Sequence, residues 1–580
     1  MKRLAGFARR FLRHRRTLLF GVLCIPLVGL CDIRLTLWIG DALSRLERRE
    51  DPAFLQRLFF LLLGLGAVQG LFRYLQRWWM VGVSRRVEIE LKQELFEALA
   101  RLPLSFHLRS RSGDITSRLT SDVENVRMLL GPGSMYVLNS LVMVPGSLIA
   151  LVAVSPRVAL AMAVPMALVS VVMLVMTPRL TKHSMLVQES LADISARAQE
   201  SFAGIRVVKG YGLAAHENAR FARASEKNRG HQLDLGRVSG LQDALIHLAF
   251  DLSFLPVLVV GGWAMIDQSI AVGDLFKFID LGFKVFWPVI ALGWIAGLYP
   301  RAVVSAERID ELLDQRSDIV ESASPRRLDH VRGALALRNV GYTHAGAARP
   351  ALEGITLDVP AGTTLGVVGP TGAGKSTLLN LLGRLFEARG EIALDGIPVR
   401  ELLLADLRGA LAYVPQDSFL FSDTYRANLS FGTERELSDE RLRELVEAVA
   451  MGEEVRAFPD GFEQLIGERG VTLSGGQRQR TSIARALARE PRVLILDDCL
   501  SAVDTETEAR LLANLRRAGS GRTVVVAAHR LATVRSAEQI LVLHEGRAEA
   551  LGTHDELLER SSWYRQTWER QRMREELSEL

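Results

Sequence analysis

Six apolar stretches, each near the length that crosses a lipid bilayer, fill the chain before Leu298 and dictate what it can fold into. A spanning helix needs roughly 20 mostly apolar residues, because the hydrocarbon core is ~30 Å thick and each helical residue rises ~1.5 Å. The stretches are Thr17 to Ile39, Phe54 to Phe72, Met135 to Val154, Val158 to Met176, Ala244 to Met265 and Leu275 to Leu298. The last is the least apolar, since it carries Lys277, Asp280 and Lys284.

Arg9, Arg10, Arg13, Arg15 and Arg16 precede the first stretch, which puts the N-terminus in the cytoplasm, and six crossings return the chain there. The basic-then-apolar start has the outline of a signal peptide. No small-x-small cleavage site follows, and Leu30 rather than a small residue precedes Cys31, so an uncleaved first span is expected. The stretches from Ser84 to Pro132 and Pro178 to Gly240 are long, charged and helix-like, so helices two to five are expected to project beyond the bilayer. Asp32, Arg34, Arg73, Asp251, Lys277, Asp280 and Lys284 lie in or beside spans, where a charge is costly unless it is paired, snorkels to the interface or faces water.

At 580 residues the chain exceeds one compact core. Its charge density rises after Ser305, which divides it into a transmembrane domain over 1–315, a polar linker with a Ser-Pro break over 316–332, and a second domain over 333–580. There β-branched runs alternate with helical patterns, TLGVV before TLLNLLGRL and VLILDD before ETEARLLANL, as in an α/β domain with a largely parallel sheet. The expected fold is therefore an α-helical transmembrane domain followed by an α/β P-loop domain. Net charge +5 and pI near 9.2 do not imply a nucleic-acid partner, because the basic residues crowd the N-terminus and the ends of apolar segments. Cys24, Cys31 and Cys499 show no paired spacing and read as buried thiols.

Gly369-Pro-Thr371-Gly372-Ala-Gly374-Lys375-Ser376, followed by Thr377, is a P-loop pattern between a strand and a helix. Its glycines let backbone N–H groups approach phosphates, Lys375 reaches the β and γ phosphates, and the Ser376 hydroxyl suits Mg²⁺. Val493 to Asp497 reads as a buried strand ending in a carboxylate, the Walker B arrangement that supports the same ion. ATP and Mg²⁺ are the implied cofactors.

Leu473-Ser474-Gly475-Gly476-Gln477 opens a helix just before Walker B and resembles the signature of ABC ATPases. That resemblance implies that Ser474 to Gln477 cap ATP held by an opposite subunit. Gln416 resembles the Q-loop glutamine, which serves the metal and the catalytic water; Glu468-Arg-Gly470 resembles the motif before the signature in exporters; Ser501 to Asp504 resembles the D-loop; His529 resembles the H-loop histidine. In the first domain, Ser105 to Val126, Gln199 to Gly212 and Ser305 to Asp314 are similar to coupling regions of type IV ABC exporters and to the exit from their sixth helix. The resemblance implies a dimer, because the ATP sites of this family form between two nucleotide-binding domains.

Two positions depart from the family pattern. Asp498 stands where a Glu usually activates water, and DDCLSAVD resembles the weak-site half of heterodimeric exporters. His344, 31 positions before Lys375, stands where an aromatic usually stacks on adenine, while Tyr342 reads as a buried aromatic of the same strand. The expected function is ATP-driven export of amphipathic small molecules or peptides. The expected partners are a lipid bilayer, an amphipathic substrate and a second half-transporter with Glu after its Walker B Asp. The expected location is a bacterial cytoplasmic (inner) membrane, with both termini and the ATPase domain in the cytoplasm. A homodimeric lipid flippase and an ATP-gated channel or regulatory protein are the alternatives.

Overall fold

The computed structural model describes residues 2–48, 53–328, 330–434, 436–467, 470, 472–518 and 521–578. The chain divides into two compact units, Met1–Arg101 with Arg111–Gln315, and Leu102–Ser110 with Arg316–Leu580.

The first unit contains six helical segments long and apolar enough to cross a membrane: Arg15–Glu47, Phe54–Arg101, Ser112–Val154, Pro156–Ala203, Ala214–Ile266 and Val272–Leu313. Each contains one of the six stretches read from the sequence. The second runs 48 residues, or about 72 Å at ~1.5 Å per residue, well beyond a hydrocarbon core of ~30 Å. Its outward residues Phe59 and Phe60 are 61% and 68% exposed. Such a concentration of exposed apolar surface fits lipid and not water.

Two helical segments depart from regular α-helical geometry. The fifth segment contains the span expected from Ala244 to Met265 and is interrupted within it, helix Ala214–Leu252 stopping before Leu255–Ile266 resumes. Pro256 has no N–H to donate into the preceding turn, and the Ser253 hydroxyl donates to the Phe250 carbonyl at 2.5 Å. Ahead of the third span, π-helical turns occupy Arg118–Asp122 and Leu129–Gly133, the latter containing Pro132.

The intramembrane charges are largely paired. Arg73 meets Asp32 at 2.9 Å, tying the second helix to the first. Lys284 of the sixth helix meets Asp280 at 2.9 Å and donates to the Asp32 carbonyl at 2.8 Å and to the Thr36 hydroxyl at 2.6 Å. Lys277 meets Asp41 at 2.6 Å and Asp274 at 2.9 Å. These contacts clamp the first and sixth helices where Gly40 and Gly273 let their backbones touch.

The second unit holds ten strands among its described residues: β1 (Leu335–Tyr342), β2 (Leu352–Val359), β3 (Thr364–Val368), β4 (Arg389–Leu394), β5 (Ile397–Pro398), β6 (Leu411–Val414), β7 (Val493–Asp497), β8 (Thr523–Ala527), β9 (Gln539–His544) and β10 (Arg547–Gly552). One sheet has the order β10-β9-β3-β8-β7-β6, parallel except for β10 at its edge. A second, antiparallel sheet has the order β2-β1-β4-β5. Every residue of β7 is buried, as a strand covered on both faces requires. In this topology the carboxyl ends of β3, β8, β7 and β6 lie side by side, and such a row is where open α/β sheets bind ligands. Cys24, Cys31 and Cys499 are free and buried.

Candidate nucleotide-binding site

Four loops leave that row of strand ends. β3 runs into Gly369, β8 into Ala528 and His529, β7 into Asp498, and β6 into Pro415 and Gln416. The P-loop ends at Gly374, whose φ of 100° is left-handed and open to glycine. A Cβ there would also stand 2.6 Å from the Ala351 carbonyl oxygen. Helix Lys375–Leu382 starts directly after it, so the unpaired N–H groups of its first turn point back toward the loop. Gly372 has φ 81° and open space around it, and Thr371 is exposed beside it.

The Lys375 ammonium donates to the Gly369 and Pro370 carbonyls at 2.9 and 3.1 Å. Burial pushes its pKa down, against the pull of Asp498 and Asp497. The Ser376 hydroxyl donates to Asp497 Oδ1 at 2.9 Å, and the Tyr413 hydroxyl donates to Oδ2 at 3.0 Å. Asp497 is 3% exposed, and burial raises its pKa against these two hydrogen bonds. One buried carboxylate facing one hydroxyl at the end of a phosphate cradle is the hard oxygen set that Mg²⁺ takes together with phosphate oxygens and water, so these residues fit that ion.

Asp498 follows with φ 44°, a left-handed conformation that Asp tolerates better than most residues. Its Oδ2 accepts from Gln416 Nε2 at 3.2 Å and stands 3.9 Å from His529 Nε2. The structure thus gathers Lys375, Ser376, Asp497, Asp498, Gln416 and His529 around one point. His344 lies at the margin, with its Nε2 3.3 Å from the Thr377 hydroxyl and its ring edge-on to Tyr342. Tyr342 is half-buried and stacks on Phe386 with centroids 5.0 Å apart.

The signature forms a separate group. Ser474 caps helix Gly475–Ala488: its hydroxyl accepts from the Gln477 N–H at 3.2 Å, and the Gln477 side chain accepts from the Ser474 N–H at 2.9 Å. Gly475 and Gly476 pack against Ala502, where a Cβ on Gly476 would stand 2.9 Å from the Ala502 carbonyl oxygen. Gln479 accepts from the Ala502 N–H at 3.0 Å, and Ser501 donates to the Asp498 carbonyl at 3.1 Å. Ser501 and Ala502 therefore join the signature helix mechanically to the end of β7. Glu468 and Arg469 lie outside the described residues.

Residues 18–289 match the family described as ABC transporter transmembrane region, and residues 352–501 match the family described as ABC transporter. The Multidrug resistance-like ATP-binding protein MdlA of Escherichia coli (strain K12) is 34% identical over 511 residues, 88% of this chain and 86% of that protein. The chain belongs to the ABC transporter family. Similarity to this ABC transporter extends to the ATP-dependent lipid A-core flippase of Thiobacillus denitrificans (strain ATCC 25259 / T1), 33% identical over 89% of each chain. It also extends to a solved bacterial Atm1-family ABC exporter with ATP bound, at TM-score 0.78 and 27% identity, covering 96% of this chain and 98% of that one. This ABC transporter is a multi-pass membrane protein with a transport-coupled ATP-binding domain.

Two contacts of the ABC transporter's site escaped sequence reading. Tyr413 lies 84 positions from Asp497, and only the pairing of β6 with β7 brings them together. Gln571 of helix Ser562–Ser578 donates to the His529 carbonyl and accepts from the Leu531 N–H, both at 2.8 Å. Gln571 thereby fixes the backbone that carries His529. Gln571→Ala removes both hydrogen bonds, each worth ~1 kcal/mol net, and is expected to lower kcat for ATP by roughly fivefold to thirtyfold, with little change in KM. His529→Ala is expected to cost more. Steady-state ATPase titrations of both variants check this; an unchanged kcat for Gln571→Ala refutes the positioning role.

Proposed function

We propose that this chain is one half of a heterodimeric exporter of amphipathic small molecules or peptides, and that its own Walker motifs form the slower of two ATP sites. The observation that carries this reading is the carboxylate at Asp498, one methylene shorter than Glu and already held by Gln416 at 3.2 Å. Asp is a competent base, but a displacement of about 1 Å costs on the order of 100-fold in rate. In this reading Gly369, Thr371, Gly372, Gly374, Lys375 and Thr377 cradle the phosphates, His344 flanks the adenine, and Gln416, Asp498 and His529 orient water. Ser376, Asp497 and Gln416 would hold Mg²⁺, which supplies charge neutralisation on the phosphates when bound. Ser474, Gly475, Gly476 and Gln477 serve ATP held by the partner, whose Walker B Asp is followed by Glu.

A second reading, a homodimeric lipid flippase, is favoured by the name of the Thiobacillus denitrificans relative. In either reading the chain resides in a bacterial cytoplasmic membrane, with its ATPase domain in the cytoplasm. Sealed inside-out vesicles containing the assembled transporter test the export function. MgATP is expected to drive an amphipathic dye to a lumenal concentration above that outside. Dissipation of an imposed dye gradient without uphill accumulation indicates an ATP-gated channel instead, and transfer of a fluorescent lipid without dye accumulation favours the flippase.

A further inference from the structure

A cavity of about 730 Å³ opens beside the second span, between its continuation and the starts of the first and third spans. Thr17 begins the first apolar stretch, Met135 begins the third, and Tyr74 to Arg86 follow the end of the second at Phe72. All three landmarks lie at the cytoplasmic ends of their spans by the topology that the basic N-terminus sets. The wall combines aromatic rings and guanidinium groups on one helix. Tyr74 stacks on Trp78 with centroids 5.9 Å apart, and Arg77, Arg85 and Arg86 lie within about three turns of them.

The charges are unevenly satisfied. Arg85 meets Glu88 at 2.7 Å and Glu124 at 3.9 Å. Arg77 and Arg86 are exposed, and among the described residues no carboxylate oxygen stands within 4.0 Å of their guanidinium nitrogens. Trp and Tyr settle at headgroup depth, while arginine binds phosphate oxygens through paired N–H groups. We propose that this cavity binds the anionic phosphate headgroup of a phospholipid drawn from the cytoplasmic leaflet. Arg77 and Arg86 contact the phosphate, and Tyr74 and Trp78 line the glycerol and upper acyl region. Basic pockets between spans on the cytoplasmic side suit this class of ligand by charge complementarity, each arginine adding its own attraction to the anionic surface.

The full-length chain in phosphatidylcholine nanodiscs tests the site through quenching of tryptophan fluorescence by brominated lipids. Brominated phosphatidylglycerol is expected to half-quench the Trp78-dependent signal, defined by Trp78→Phe, at a mole fraction on the order of 10-fold below that of brominated phosphatidylcholine. The combined Arg77→Gln and Arg86→Gln variant is expected to abolish that difference, whereas Arg157→Gln, in the first turn of helix Pro156–Ala203 at the opposite end of its span from the cytoplasm, is expected to preserve it. Equal quenching of wild-type protein by the two lipids overturns the proposal without recourse to any variant. A preference that survives in the double variant overturns it too. Competition by soluble glycerol phosphate as effective as the lipid itself shows a phosphate site and not a lipid site. Absence of quenching by either lipid overturns the proposal as well.

Discussion

Gly476→Asp is expected to bring ATP hydrolysis by the assembled transporter close to background, while Lys375→Ala in the same chain leaves substantially more turnover. The two residues lie in separate groups of this chain, Gly476 against Ala502 and Lys375 against the Gly369 and Pro370 carbonyls. In the proposed heterodimer they therefore serve opposite ATP sites. An aspartate at 476 adds bulk and negative charge where the γ-phosphate of the faster site must dock, against donors whose value lies in stabilising charge on the transferring group. Lys375→Ala removes one desolvated ammonium from the slower site. Nucleotide binding there weakens, yet the faster site keeps its own lysine and its own Glu. Steady-state ATPase at saturating MgATP, with each variant assembled with wild-type partner, checks the ranking. Equal activity, or a greater loss from Lys375→Ala, contradicts the division of labour.

Asp498→Glu is expected to raise MgATP turnover of the chain purified alone by on the order of 100-fold, the cost of about 1 Å of misplacement. Alone, the chain has only copies of itself to pair with, so every site carries the short carboxylate. The longer side chain reaches farther from the same left-handed backbone position, anchored by the Asp498 N–H on the Ala527 carbonyl at 3.0 Å. ATP affinity is expected to change little, because the proposed phosphate and metal contacts of Lys375, Ser376 and Asp497 do not involve the substituted side chain. Turnover and nucleotide affinity measured on the two proteins decide the matter, and an unchanged or lower rate for Asp498→Glu removes the weakened carboxylate as the cause of slow hydrolysis.

The six spans, and the local motifs that the structure brings together in the candidate site, were legible in the sequence for physical reasons. An apolar run of bilayer length has few alternatives, and a P-loop needs glycines, lysine and a hydroxyl at fixed spacing because backbone geometry sets the phosphate cradle. Lys375, Ser376 and Asp497 stand out in the sequence because each belongs to such a local pattern. Contacts that depend on tertiary placement were not legible. Arg73 finds Asp32 across 41 positions and Lys284 finds Thr36 across 248, so whether those charges faced water or one another was undecided from order alone. Gln571 sits in a polar helix with nothing in its neighbours to single it out, and only packing delivers it to His529. The interruption of the fifth helix falls just before Pro256, but Pro26, Pro145, Pro288 and Pro300 sit inside unbroken helices, so proline alone does not mark where a span breaks.

The central claim is that this chain contributes a slow ATP site and needs a partner's Glu for fast turnover. Its most direct test is steady-state MgATP hydrolysis by the chain purified alone against the same chain copurified with a half-transporter bearing Glu after its Walker B Asp. Slow hydrolysis alone and turnover on the order of 100-fold faster in the pair is the predicted result. Comparable turnover and dye transport by the chain alone contradicts it.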